Sequence, residues 1–304
     1  MHEIPLDSAA EVLPPAYREA LSLIGPKHLT DISELRLRTG RAFSALCPDG
    51  EIKVIGMDGE EIIASRDDIL YVMDRATRSS VHSYQNSIKN GFVTIQGGHR
   101  VGICGTAVIN NGNVEGFRDF SSLAIRVAKE IKGAAARVLD EMEEVDGICG
   151  TLIVSPPGGG KTTLLRDMIR ILSKKYRVGV ADERSELAGT FRGGPQFDLG
   201  EKCDVVDSCP KALAIMLLLR AMNPEIIAVD EITAKEDADA LLGALHCGVT
   251  LLATAHADNV RDLDGKPMYR ALLASGAFKN LIFIRRKGKE RLYELVKVKE
   301  GQYV

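Results

Sequence analysis

The sequence contains no tryptophan, and aromatic residues make up only 5% of its 304 positions. Proteins that grip single-stranded nucleic acid stack bases on aromatic faces along a basic groove. Here there is no basic–aromatic stripe and the formal net charge is −3, so any attraction to nucleic acid or anionic lipid has to be local. No apolar run approaches the roughly 20 residues that span a bilayer. The opening Met-His-Glu-Ile-Pro lacks the basic-then-apolar layout of a secretory signal. These absences lead to the expectation of a cytoplasmic chain, working in solution or peripherally at the cytosolic face of a membrane. The six cysteines (Cys47, Cys104, Cys149, Cys203, Cys209, Cys247) include no C-x-x-C pair, so reduced thiols are expected and neither disulfides nor a zinc site.

What is present is centred on Thr151-Leu-Ile-Val-Ser-Pro-Pro-Gly-Gly-Gly-Lys-Thr-Thr163. A short apolar run, a glycine-rich turn, and Lys161 opening an apolar-periodic segment read as strand, loop and helix N-terminus. Such a loop cradles phosphate. Gly158, Gly159 and Gly160 let successive backbone N–H groups face one concavity, and the helix adds the positive end of its dipole. In this reading Ser155, Pro156, Pro157, the three glycines, Lys161, Thr162 and Thr163 hold the phosphates of ATP. Lys161 reaches the terminal phosphates and the Thr162 hydroxyl ligates Mg2+. The motif G-x-x-x-x-G-K-[ST] is met except at its first glycine, which is Ser155.

Periodicity divides the chain in two. Residues 1–132 read as an α+β domain: a helix over 11–24, alternating strands from Ile32, a hairpin around Asp58-Gly59, helices over 66–78 and 82–89, then two strands turning at Gln96–Arg100. A further turn at Asn110–Gly116 and a strand over 121–129 follow, with Arg126 projecting opposite Ile125 and Val127. Residues 133–304 alternate helices with apolar strands, which predicts α/β with a mainly parallel sheet whose ligand edge lies at the strand C-termini. Five strands there start near Thr151, Arg177, Cys203, Glu225 and Gly248, and strands over 281–285 and 292–298 close the sheet.

The strand Glu225-Ile-Ile-Ala-Val-Asp-Glu231 delivers two carboxylates to its tip. Asp230 is expected to hold Mg2+ with Thr162, and Glu231 to polarise the attacking water. The acidic tip Asp182-Glu183 competes for these jobs, which keeps Glu183 as the alternative base. His256, in Thr-Ala-His-Ala after the next strand, reads either as a hydrogen-bonded core residue or as a γ-phosphate sensor. The cluster Arg285-Arg286-Lys287-Gly288-Lys289 with Arg291 reads as a solvated turn between two strands, with an interaction surface as the alternative.

Taken together, the loop motif, Val180-Ala-Asp-Glu-Arg-Ser-Glu-Leu-Ala-Gly189, Asn-Pro-Glu-Ile-Ile-Ala-Val-Asp-Glu-Ile and Thr-Ala-His-Ala resemble the stage III sporulation protein AA family of endospore-forming bacteria. That family is similar to the hexameric ATPases of type II and type IV secretion and of pili. Ser33–Arg41 and Gly98–Gly105 look like its N-terminal domain. The resemblance implies a RecA-like P-loop ATPase domain behind a smaller α+β domain, assembled as a homo-oligomeric, hexameric ring. It also implies that the ring powers a secretion-like channel through membrane-embedded subunits during endospore formation. It makes Asp182–Glu186 an acidic box and His256 a histidine box. It further implies a trans-acting arginine from the N-terminal domain, for which Arg126 is preferred over Arg118, Arg100 and Arg36. Secretion ATPases carry Gly-Glu where this chain has Asp230-Glu231, so the magnesium role of Asp230 rests on the general fold. Two other readings stay open: a nucleic-acid-handling P-loop ATPase, and a nucleotide-gated scaffold with little turnover.

Overall fold

Prolines punctuate the N-terminal helices. In the computed structural model, which describes residues 5–78, 84–146, 148–288, 290–299 and 302–303, α1 (Pro5–Ala10), α2 (Pro15–Ser22) and α3 (Pro26–Asp31) each begin on one. Proline suits the first helical position because its missing N–H would have no partner there. The single helix expected over 11–24 is therefore shortened: Pro14 precedes the helix in extended backbone and Pro15 starts it. Val12, Leu13, Tyr17, Ala20 and Leu21 are buried all the same.

The chain forms two compact units, Met1–Lys129 with Gly189–Gln196, and Glu130–Ala188 with Phe197–Val304. In the first, β1 (Glu34–Arg38), β2 (Ser44–Cys47), β3 (Gly50–Lys53), α4 (Arg66–Thr77), α5 (Gln85–Lys89), β4 (Phe92–Thr94), β5 (Arg100–Asn110) and β6 (Asn113–Arg126) follow in order. The strands make one sheet in the order β3-β2-β1-β6-β5-β4, antiparallel throughout. Alternation in β1 sends Leu35 and Leu37 into the core beside Phe43, Val101 and Ile125. Glu34, Arg36 and Arg38 stand on the opposite face. The turn expected over 110–116 is tighter than that. Asn111 and Gly112 both have positive φ, the geometry a two-residue hairpin requires, and β6 runs unbroken to Arg126. His82, expected in a second short helix, lies outside the described residues; that helix is α5.

The second unit contains α6 (Ala136–Asp146), β7 (Thr151–Val154), α7 (Lys161–Leu172), β8 (Val178–Asp182), β9 (Cys203–Asp207), α8 (Lys211–Ala221), β10 (Ile226–Glu231), α9 (Lys235–His246), β11 (Thr250–Ala255), α10 (Val260–Asp264), α11 (Pro267–Ala274), β12 (Asn280–Lys287), β13 (Glu290–Lys299) and β14 (Gln302–Tyr303). Its sheet order is β14-β13-β12-β7-β11-β10-β8-β9. The six strands from β12 to β9 are parallel, and β13 and β14 add antiparallel pairs at one edge. Four-residue runs such as Thr151–Val154 are buried at every position, because hydrophobic clusters cover both faces of the sheet. All parallel strands therefore end on one edge, where Ser155, Asp182, Asp230, Glu231 and His256 emerge.

One buried group in the first unit gives that unit a pH dependence. His99 is 1% exposed; its Nδ1 accepts the Ala128 N–H at 2.9 Å and its Nε2 lies 2.8 Å from Ser8 Oγ. Gly97, at φ +80°, leaves room for the ring: a Cβ there would sit 2.6 Å from Nε2. Burial lowers the His99 pKa from 6.5 to about 4. The unfolded chain then binds more protons than the folded one across that window. The stabilisation is complete above about 6.5 and is lost as pH falls through about 4, on the order of 3 kcal/mol. Melting temperatures of wild type and His99→Gln compared at about pH 7 and about pH 4.5 test this. Wild type is expected to lose more on acidification; equal losses refute it.

Candidate functional site

The segment after β7 turns back on itself through its own backbone. Ser155 N–H donates to the Ala255 carbonyl at 3.3 Å and Gly159 N–H to the Pro156 carbonyl at 3.2 Å. Gly160, at φ +102°, passes the chain into α7. Ser155 is 1% exposed, and its hydroxyl donates to the Pro156 carbonyl at 3.0 Å. The serine fits because Gly159 has no side chain: a Cβ there would lie 2.1 Å from Ser155 Oγ. Lys161 is 6% exposed and its ammonium has three partners, the carbonyls of Ser155 (2.9 Å) and Pro156 (3.3 Å) and His256 Nδ1 (2.7 Å). Burial lowers the lysine pKa, opposed by the charges of Glu231 and Asp230.

His256 accepts from Lys161 through Nδ1, so its ring proton belongs on Nε2, which lies 3.1 Å from Glu231 Oε2. His256 thus bridges the loop lysine and the tip of β10. The β10–β11 register shifts between Ala228 and Glu231, and such irregularities re-aim side chains at a strand end. Asp230 is turned toward two hydroxyls, Thr162 Oγ1 at 3.4 Å and Thr254 Oγ1 at 3.3 Å. Its pKa is raised, by burial first, then by the charge and hydrogen bond of Glu186 and the charge of Asp182, with the Thr254 hydroxyl opposing. Asp182, 0% exposed, accepts the N–H groups of Glu186 (2.8 Å), Leu187 (3.0 Å) and Ala188 (2.8 Å). Burial still pushes it up to about 6 against those three donors.

These groups surround a cavity of about 420 Å³ lined by Pro157, Gly158, Gly160, Lys161, Thr162, Thr163, Arg184, Glu186, Asp230, Glu231, Thr254, His256 and Arg291. Of the expected site residues, Ser155, Pro156, Gly159 and Arg126 are absent from the lining, and so is Glu183. Its carboxylate pairs with Lys211 Nζ, a 5% exposed ammonium that also lies 3.8 Å from Asp237. The second acidic group at the site is Glu186, three residues on. Asp182 curls the following backbone onto its own carboxyl, which carries Glu186 to Asp230. Arg166 on α7 secures the curl by donating to the carbonyls of Leu187 (2.9 Å) and Glu186 (2.6 Å), its guanidinium carbon 3.7 Å from the centroid of the Phe197 ring. In the sequence Glu186 was marked only as the end of the acidic box, 182–186, that the resemblance implies.

Arg126 belongs to the other compact unit. It is exposed and lies 3.5 Å from the buried Glu34 carboxylate. The basic cluster read as a solvated turn is only partly that. Arg286 Nε does donate to the Gly288 carbonyl at 3.0 Å, but Arg291 Nε donates to the carbonyl of Gly159 in the loop, at 3.0 Å. Lys289 lies outside the described residues. The oxygens of Thr162 and Asp230 form a hard-ligand pair of the kind Mg2+ takes together with phosphate and water. Among the described residues no group of three or more His, Cys, Asp or Glu is placed to hold a metal by itself.

Comparison with known proteins agrees with this architecture. Two solved structures share the fold: the Legionella pneumophila ATPase DotB, 16% identical with a TM-score of 0.58 over 92% of this chain and 78% of that one, and the pilus retraction motor PilT with bound ADP, 18% identical with a TM-score of 0.58 over 92% and 83%. The chain is thus an α/β protein with a RecA-like P-loop domain behind a smaller α+β domain. Stage III sporulation protein AA of Bacillus subtilis (strain 168) is 39% identical over 92% of this chain and 91% of that protein. The family model described as sporulation stage III, protein AA matches residues 10–301, and the chain belongs to that family.

Proposed function

We propose that this protein is a Mg2+-dependent ATPase that works as the motor of a secretion-like channel in endospore formation. The observation that carries the reading is the contact chain from Lys161 through His256 to Glu231, beside the hydroxyl–carboxylate pair Thr162–Asp230. Backbone N–H groups of the loop and the α7 dipole receive the phosphates, and Lys161 exchanges carbonyl acceptors for phosphate oxygens. Thr162 and Asp230 would hold Mg2+, which would supply positive charge beside the transferred phosphoryl group. Glu231 orients and deprotonates the attacking water. His256 ties that carboxylate to the lysine, so that withdrawal of Lys161 toward phosphate is felt at Glu231.

The residues Ser155–Thr163, Asp230, Glu231 and His256 all belong to one unit. In our reading Arg126 of the other unit completes the site in trans, from a neighbouring copy in a hexameric ring. Its exposure, and Glu34 as its single carboxylate neighbour among the described residues, suit a cation that a γ-phosphate recruits. Among the described residues no helix is long and apolar enough to cross a membrane. In our reading the ring acts on membrane-embedded subunits from the cytosolic face.

Lys161→Ala is expected to abolish tight ATP binding. Glu231→Gln should keep binding and lose roughly a hundredfold or more in hydrolysis. Nucleotide affinity and phosphate release, measured separately, decide this. Hydrolysis that survives in Glu231→Gln and disappears in Glu186→Gln assigns the base to Glu186.

The trans arginine has its own test. Arg126→Ala should bind ATP and assemble normally yet hydrolyse slowly. Mixing it with Glu231→Gln protein should restore part of the activity, because mixed rings contain sites pairing an intact Glu231 with an intact neighbouring Arg126. Wild-type turnover by Arg126→Ala in rings confirmed by sedimentation removes the residue from the mechanism.

A further inference from the structure

Sheet geometry brings a second cation to the loop. β12 runs parallel to β7 with Phe283 opposite Val154, the last residue of β7, so Ile284–Lys287 continue past the point where the loop leaves the sheet. β13 returns from there with Arg291 opposite Arg286. The result is an arginine that lines the same cavity as Lys161. Its Nε reaches the Gly159 carbonyl, and its side chain lies close against Gly160. A Cβ at Gly160 would meet Nε at 2.7 Å and Cζ at 3.3 Å. Gly160 thus serves the positive-φ entry to α7 and the approach of this side chain together.

The other arginines of the hairpin are engaged elsewhere. Arg285 pairs with Glu294 and donates to the Asp258 carbonyl, and Arg286 closes its own turn. Arg291 has a neutral carbonyl on one N–H, and no carboxylate pairs with it among the described residues. A guanidinium carries five N–H donors in a fixed fork. Nε can remain on Gly159 while the terminal nitrogens bind two oxygens of a phosphate, the bidentate geometry that favours arginine at such sites.

We propose that Arg291 is a phosphate-binding residue that acts in cis, contacting the polyphosphate common to nucleoside di- and triphosphates and bracing the loop through Gly159. The assignment rests on the reading of this cavity as a nucleotide site. It differs in kind from the role given to Arg126, which a neighbouring copy supplies and which affects hydrolysis alone. Arg291 acts before chemistry, and its loss costs binding of both nucleotides.

The test is equilibrium binding of fluorescently labelled ADP and of ATP to the full chain, at low and high salt, with the melting temperature of the nucleotide-free protein as a second readout. Arg291→Gln keeps an amide N–H for the Gly159 carbonyl and lacks the charge; Arg291→Lys keeps the charge and lacks the fork. The expected result for Arg291→Gln is affinity for both nucleotides weakened about tenfold to a hundredfold, a shallower salt dependence and an unchanged melting temperature, with Arg291→Lys intermediate. Wild-type ADP affinity in Arg291→Gln overturns the proposal and leaves Arg291 as a brace. If Arg291→Gln also melts lower, the lysine variant decides: regained ADP affinity sustains the proposal, and regained melting temperature without affinity overturns it. Wild-type protein that binds neither nucleotide overturns this proposal and the nucleotide reading together.

Discussion

The site depends on keeping one ammonium group inside the protein without a carboxylate against it. Lys161 is almost fully enclosed, and removing an unpaired charge from water is costly unless every donor finds an acceptor. An ammonium has three donors and no acceptor. The structure supplies three acceptors, two from the loop's own carbonyls and one from His256. The loop is thus wrapped around its lysine: the carbonyls that hold Nζ turn inward, and Ser155–Gly159 must curve to allow it. His256 matters because it is not part of the loop. It joins the lysine to the tip of β10 through Glu231, and two neighbouring strand ends share one hydrogen-bonded chain.

A second constraint lies opposite, where Asp182, Glu186 and Asp230 crowd together. Burial raises both the Asp182 and the Asp230 carboxyl pKa, and for Asp230 the charges of Glu186 and Asp182 raise it further. Three backbone donors, two threonine hydroxyls and the Arg166 brace hold this cluster in place without removing its excess negative charge. A divalent cation beside Thr162 and Asp230 would relieve that excess. The lysine side and the carboxylate side thus ask for opposite things, an anion and a cation, and a magnesium-bound polyphosphate supplies both to one cavity.

Most of this was legible where a backbone rule determines the answer. Glycines, a lysine and threonines after a four-residue apolar run specify strand, turn and helix, and the observed β7 and α7 start where that pattern places them. The carboxylates that end β10 were legible for the same reason, since a buried parallel strand can only release polar residues at its end. The position of Glu183, the alternative base, outside the cavity lining has a physical origin. Strand alternation says which residues leave a strand tip but not how the following loop curls. That curl is made by Asp182 accepting three N–H groups and by Arg166 sixteen residues earlier in the sequence. Lys211, at the start of α8, then takes Glu183 away. Arg291 was hidden among four other basic residues, because composition cannot distinguish a cation at a solvated turn from one returned to the loop by a hairpin longer than its neighbour strand. At the N-terminus the apolar spacing was right and the element was not, since the helix period does not show that Pro14-Pro15 divides it.

The departure of the loop from its motif has an explanation in packing. Where the motif has its first glycine, this chain has Ser155, and the added hydroxymethyl group occupies the space that a side chain at position 159 would need. Position 160 is filled from the other side by Arg291. The second and third glycines are therefore not interchangeable sources of flexibility. Gly158 has open space around its missing Cβ and serves backbone conformation, at φ +73°. Gly159 is the complement of a serine, and Gly160 admits an arginine. A serine at the loop's entry is compatible with the cradle because its hydroxyl is satisfied by the adjacent Pro156 carbonyl, which already faces inward for Lys161. The substitution thus adds a hydrogen bond to the carbonyl on which the lysine depends, and it stiffens the entry that the first glycine would have left free.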